Sequence, residues 1–168
     1  MRYSTFRENG ALARHETLLA AHALHFAHTH EQLKLFVREH PTVFCSHQWL
    51  AFTEPDPAGV HFRTICEVCE YLLKRDAIDA DDLYVWVDYH SIPQACRYTQ
   101  VLSISSLAVY ASALRYFVIV TPEVLHKDTR KPCNYETYSR RGWCRLEQWA
   151  RLAARGTDDL FKWTGNGL

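Results

Sequence analysis

Histidine, cysteine, serine and aspartate are the side chains of this sequence that could do chemistry, and their spacing decides which of them can form a site. His22, His25, His28 and His30 fall in one stretch of helical periodicity, and histidines three apart on a helix can share a metal ion. No carboxylate or cysteine stands beside them at matching spacing, so they read as a solvated or half-buried helix face. Cys66-x-x-Cys69 lies within VHFRTICEVCEYLLKR, where Phe62, Ile65, Cys69 and Leu72 share one helical face and Cys66 and Leu73 flank it. A CxxC inside a helix, without a second pair at zinc spacing, belongs to a core. The six cysteines, Cys45, Cys66, Cys69, Cys96, Cys133 and Cys144, are expected to be reduced thiols. A chain of this length holds itself together by burial, and MRYSTFRENGALARHE has no apolar signal core. The remaining chemistry-bearing residues follow three apolar runs: Ser46-His47-Gln48-Trp49, Asp88-Tyr89-His90 and Thr121-Pro122. No G-x-G-x-x-G, P-loop or G-x-S-x-G occurs, so the common dinucleotide, nucleoside-triphosphate and serine-hydrolase fingerprints are absent.

The elements that must position these residues can be read from periodicity. Residues 11–40 read as helix, with Leu19, Ala23, Phe26, Leu33 and Val37 on one stripe. Thr29 and Gln32 suggest a cap, and so a joint between two helices near 28–30. Pro41 ends this segment. Short apolar runs at 42–46, 83–88 and 116–120 predict buried strands, and 160–163 an edge strand. Helices are predicted over 60–75, from Val101 to Leu114, and from Arg141 or Gly142 to Ala154, with Gly156 as C-cap. Loops are expected at 51–59, 89–98 and 122–140. Buried strands alternating with amphipathic helices specify an α/β fold: a flavodoxin-like, doubly wound parallel sheet of about four to five strands, with an N-terminal helical extension. The division predicted is an extension over 1–40 and an α/β domain over 41–168. Ligands of such sheets bind at the carboxyl ends of the strands, where the three polar and aromatic clusters stand.

Three segments together carry a family resemblance. TVFCSHQW at 42–49 is an apolar run ending in Ser followed by a basic and an aromatic residue. LYVWVDYHSIP at 83–93 is a second strand with a terminal Asp and a Pro-containing loop. SSLAVYASALRYFVIVTP at 105–122 precedes RGWCRLE at 141–147, in which Trp143-Cys144-x-x-Glu147 is the most specific element. In order and spacing these resemble the Toll/interleukin-1-receptor (TIR) domain family over roughly residues 41–155, in its divergent microbial and protist form. The chain departs from the pattern in having His47-Gln48 where many members have Arg, in lacking a Gly after Asp88, and in its long 122–140 loop.

The resemblance implies either an assembly adaptor or an enzyme that cleaves NAD⁺ between nicotinamide and ribose with the Glu of the W-C-x-x-E motif. Glu147 is the matching residue. A pyridinium departs as neutral nicotinamide and needs no general acid. Positive charge develops on the ribose, and one carboxylate beneath the sugar can stabilise it. Trp143 and Glu147 are i and i+4, so they share a helix face on which the indole would wall the site. Glu147 falls within the first two turns of its helix, where the dipole favours an anion. Ser46 and His47 are candidates for pyrophosphate or ribose oxygens, and Trp49, Trp86 and Tyr89 for stacking on a base. Trp86 alternates with Val85 and Val87, which favours core packing for it. Asp88 either binds ribose or caps the next turn.

The resulting expectation is an NAD⁺ nucleosidase or cyclase giving nicotinamide and linear or cyclic ADP-ribose, in signalling of the immune or cell-death type. NAD⁺ is the substrate; no separate cofactor and no metal are expected. Such enzymes often assemble to complete the site, which implies a homo-oligomer through the loop at 89–98. The alternatives are a non-enzymatic TIR assembly module and a nucleoside deoxyribosyltransferase-like enzyme, whose glutamate is a covalent nucleophile. A formal net charge of zero speaks against nucleic acid and anionic membranes as partners. The absence of an apolar run of roughly 18 residues speaks against a membrane span, and a cytoplasmic location is expected.

Overall fold

In the computed structural model, which describes residues 1–165, three short helices precede the first strand: α1 (Tyr3–Asn9), α2 (His15–Ala20) and α3 (His30–Glu39). The helical reading of 11–40 is thus corrected, because 11–14 and 21–29 lie outside the helices. After α2, Ala23 N donates to Leu18 O (3.0 Å) and His22 N to Leu19 O (3.1 Å), with His22 at φ 53°. This is a Schellman-type stop in which a histidine holds the left-handed position that glycine usually takes. It turns Ala23 and Leu24 back onto the core. α3 begins where the sequence indicates: Thr29 Oγ1 accepts from Gln32 N at 3.1 Å, and Gln32 Oε1 accepts from His28 N at 2.7 Å.

β1 (Thr42–His47) is buried along its whole length. α4 (Val60–Asp76) buries Ile65, Val68, Cys69 and Leu72 completely, so the CxxC serves packing. β2 (Tyr84–Trp86) is shorter than the 83–88 run because Val87 leads into the single turn α5 (Asp88–Ser91). The helix expected over 101–114 is two, α6 (Arg97–Ser105) and α7 (Leu107–Ala113). The hydroxyls of Ser103, Ser105 and Ser106 donate to carbonyls four residues back at 2.9, 2.9 and 3.3 Å, a pattern that bends helices. β3 (Tyr116–Val120) follows. The segment 122–140, expected as loop, contains the antiparallel pair β4 (Val124–Leu125) and β5 (Pro132–Cys133), then α8 (Tyr135–Ser139). Asn134 caps α8: its Oδ1 accepts from Thr137 N at 3.1 Å, and Thr137 Oγ1 accepts from Asn134 N at 2.9 Å. α9 (Gly142–Arg155) and β6 (Leu160–Trp163) complete the described chain.

The main sheet runs β2-β1-β3-β6, with every pairing parallel. It is an α/β, flavodoxin-like doubly wound arrangement, whose connections reverse direction between β1 and β3. Strand alternation sends Val43, Cys45, Val118 and Val120 to one face with Tyr3, Phe6 and the apolar side of α4. Phe44, Phe117 and Ile119 go to the other face with Leu33, Leu107, Ala111, Tyr138 and Cys144. Residues 1–40 therefore contribute to both cores. Tyr3 N donates to Leu83 O at 2.8 Å, and Arg2 bridges antiparallel to Tyr84 along the β2 edge. Arg151, with no exposed surface, ties α9 to the sheet by donating to the carbonyls of Leu114 (2.7 Å), Arg115 (2.8 Å) and Asp158 (2.5 Å). No helix among the described residues is long and apolar enough to cross a membrane.

Candidate active site

Alternation along β1 sends its last two residues to opposite faces of the sheet. Ser46 faces the helices α8 and α9, and His47 meets His61 of α4. The buried residues of α9 are Cys144, Glu147 and Arg151, spaced three and four apart, so the stripe turned toward the sheet carries polar groups at helical spacing. Arg151 anchors its far end and Cys144 its near end, where the thiol donates to His47 O at 3.7 Å. Burial pushes the Cys144 thiol up to about 12, so it stays protonated at neutral pH. Between these two anchors Glu147 is held at 7% exposure.

Ser46 Oγ donates to Glu147 Oε2 in a short hydrogen bond, and the same oxygen lies 2.6 Å from the hydroxyl of Tyr138. Burial pushes the Glu147 carboxyl up to about 8. The bond from Ser46 opposes that shift, and the negative charge of Asp88 adds to it. At pH 7 the group is therefore mostly protonated. The dipole at the start of α9, expected to favour an anion here, is outweighed by loss of water.

Glu147 opens on a cleft of about 770 Å³ of empty space, continuous with solvent, at the carboxyl ends of β1 and β2. Its walls include His47, Trp49, Asp88, Trp143 and Glu147, five of the eight residues the sequence singles out. Asp88 lines the cleft as the first residue of α5, and the residue that caps this turn is Val87, not Asp88. Asp88 Oδ1 accepts from Tyr89 N at 2.6 Å, and its Oδ2 accepts from Trp49 Nε1 at 2.8 Å. His47 Nε2, in a side chain only 1% exposed, lies 3.5 Å from Asp88 Oδ1 without a hydrogen bond. Burial holds His61, edge-on to His47 at 4.8 Å, well below the usual imidazole range. A neutral His61 with its proton assigned to Nε2 donates to Gln48 O at 2.8 Å. Trp143 is 52% exposed and offers an open indole at the mouth.

Ser46 and Tyr89 are placed differently. Ser46 is 1% exposed and supports Glu147 from behind rather than lining the cleft. Tyr89 packs edge-on against Trp49 at 5.7 Å. Trp86 stacks between Phe44 (4.4 Å) and Tyr110 (5.8 Å) and lines a separate cavity under residues 24–27. Sequence reasoning missed Tyr138, Arg141, Gln94 and Gln100. The signals available were the Asn134-x-x-Thr137 cap ahead of Tyr138 and the basic residue at the start of α9. For the glutamines there was none. Among the described residues no group of three or more His, Cys, Asp or Glu is placed to hold a metal ion.

The chain matches no family model, and no curated protein or solved structure is significantly similar to it.

Proposed function

We propose that this chain is a TIR-type enzyme that breaks the bond between nicotinamide and ribose in NAD⁺, releasing nicotinamide and linear or cyclic ADP-ribose. The observation that carries the reading is Glu147: a buried carboxyl, oriented by Ser46, opening on a cleft at the strand ends beside the indoles of Trp49 and Trp143. Asp88, the other carboxylate of the cleft, is already engaged by Trp49 and by the amide of Tyr89. The chemistry suits a carboxyl that is neutral at rest. The pyridinium of NAD⁺ brings a positive charge into the cleft, which lowers the affinity of Glu147 for its proton. As the C–N bond breaks, its electron pair stays on nicotinamide, which leaves neutral, and positive charge grows on the ribose. The carboxylate stabilises that charge where little water screens it. Water then completes hydrolysis, or a nitrogen of the adenine closes a ring. Arg141 at the mouth suits the pyrophosphate, and the exposed face of Trp143 suits a flat heterocycle.

The test is incubation of the purified protein with NAD⁺ at low and high protein concentration, with nicotinamide and ADP-ribose products resolved by chromatography beside Glu147→Ala. Turnover that the substitution reduces by two or more decades is expected. A folded wild-type protein with no turnover at any concentration, or a variant as fast as wild type, would sink the reading.

One observation favours the second reading, a TIR assembly module. Trp143, Leu146 and Trp149 on α9, and Tyr98, Val101 and Leu102 on α6, are exposed apolar side chains. A homo-oligomer formed over these surfaces scatters more light as concentration rises, and loses that behaviour with Trp149→Glu while Glu147→Ala keeps it.

A further inference from the structure

The reaction proposed above uses Glu147 and leaves Tyr138 without a role. Tyr138 has no exposed surface, and among the described residues its hydroxyl meets only Ser46 Oγ, at 2.6 Å. Ser46 has a single hydroxyl proton, which it donates to Glu147 Oε2. Were that proton given to Tyr138 instead, the phenol's own proton would be buried without an acceptor, and an orphaned donor costs more than an unfilled lone pair. Burial pushes the Tyr138 phenol far above neutrality, so its proton is always present. The chain therefore runs one way: Tyr138 donates to Ser46, and Ser46 donates to Glu147. Oε2 is committed as an acceptor in both ionisation states. Oε1 has no hydrogen-bond partner among the described residues and is the oxygen left to face the cleft.

We propose that Tyr138 is a positioning residue for Glu147, acting through Ser46: its hydroxyl sets the direction of this chain, so that the carboxyl keeps one orientation and binds and releases its proton at Oε1. The proposal rests on the reading of Glu147 as the reacting carboxyl. The other titratable or charged groups that line the cleft with Glu147 are the Cys144 thiol from α9, Arg141 at the N-cap of α9, His47 from the end of β1, and Asp88 across the cleft. None of them hydrogen-bonds the carboxyl among the described residues, so the only fixed support is the one Tyr138 organises.

The experiment is a pH titration of the Glu147 side-chain carboxyl by ¹³C NMR on the whole protein without substrate, with the pH dependence of kcat on NAD⁺ measured in parallel. Tyr138→Phe is expected to raise the midpoint by about half a unit to one unit, because the ionised form loses a polarised donor. Ser46→Ala should raise it further, Ser46→Thr should restore it by keeping the hydroxyl, and the limb of the kcat profile should follow. A Tyr138→Phe midpoint equal to wild type overturns the proposal. Should the Phe variant not fold, 3-fluorotyrosine at 138 decides: a stronger donor is expected to lower the midpoint, and no movement overturns the proposal. If the midpoints move as expected but wild type leaves NAD⁺ intact, the proposed reaction fails and the positioning chain stands.

Discussion

Replacing Glu147 by Gln should make the protein more stable, and by an amount that depends on pH. In the folded state burial raises the carboxyl from an ordinary 4.5 to about 8, with Asp88 adding to the rise and Ser46 opposing it. Between those values the folded protein holds a proton that the unfolded chain has released. Stability therefore falls as pH climbs from about 4.5 to about 8, and is level on either side. Each unit of pKa difference corresponds to about 1.4 kcal/mol, so about 3 kcal/mol is lost by pH 7 and up to about 5 by pH 8 and above. The amide that Glu147→Gln introduces keeps an oxygen that can accept from Ser46 and carries no ionisable proton, so the variant lacks this loss. The assay is urea denaturation of both proteins at pH 5 and pH 8, comparing the gap between them so that every other titrating group cancels. The gap should widen by about 3 kcal/mol in favour of the variant, which for a chain of this size moves Tm by roughly 6–12 °C. A gap that stays constant, or widens toward acid pH, would refute the claim that Glu147 is folded in neutral form. Paired with lost turnover, the predicted widening would mark Glu147 as a group kept at a cost to stability.

Two further outcomes follow from contacts outside the cleft. Arg151→Met should lower stability by about 2–3 kcal/mol, because the buried carbonyl of Leu114 and the part-buried carbonyls of Arg115 and Asp158 lose their donor; an unchanged urea midpoint would show that water or backbone adjustment replaces it. The carboxylate of Glu16 accepts from Gln94 N (2.7 Å) and Ala95 N (2.6 Å), pinning the loop that leads from α5 to α6 beside the cleft. Glu16→Ala should speed amide exchange at Gln94 and Ala95 by about tenfold while leaving exchange in β3 unaltered, and equal rates at 94 and 95 would remove this segment from any part in shaping the site.

Part of the candidate site was legible in the sequence. His47, Asp88 and Glu147 could be named because each stands at a strand end or in a recognisable motif, and the structure brings them to one cleft. Ser46 was legible as a residue and not in its direction, since a slip of one position along a strand exchanges the two faces of a sheet. Tyr138 carried no signal of its own. It sits on a five-residue helix inside a polar stretch, too short for periodicity to show. The break at Ser106 and the stop at His22 were hidden for a related reason: side-chain back-bonding in the first, and a left-handed residue without glycine in the second, interrupt patterns that otherwise read as continuous.

By itself the sequence determined the strands of the main sheet and the helices that cover it, but not the β4–β5 pair. Tyr116–Val120 and Leu160–Trp163 stand where their apolar runs stand, and the alternation of such runs with amphipathic helices admits little besides a covered parallel sheet. These are local properties, carried by neighbours in the chain. Tertiary structure alone decided that residues 1–40 enter both cores, that Asp88 spends its oxygens on Trp49 and Tyr89, and that Glu147 is neutral at rest. The ionisation of a carboxyl depends on how much water it keeps and which donors reach it. For Glu147 that donor is Ser46, 101 residues away, itself bonded to Tyr138 at a separation of 92. Helix position alone indicated a stabilised anion, and the fold reverses that because desolvation over a whole side chain exceeds a dipole acting on the first turns of one helix.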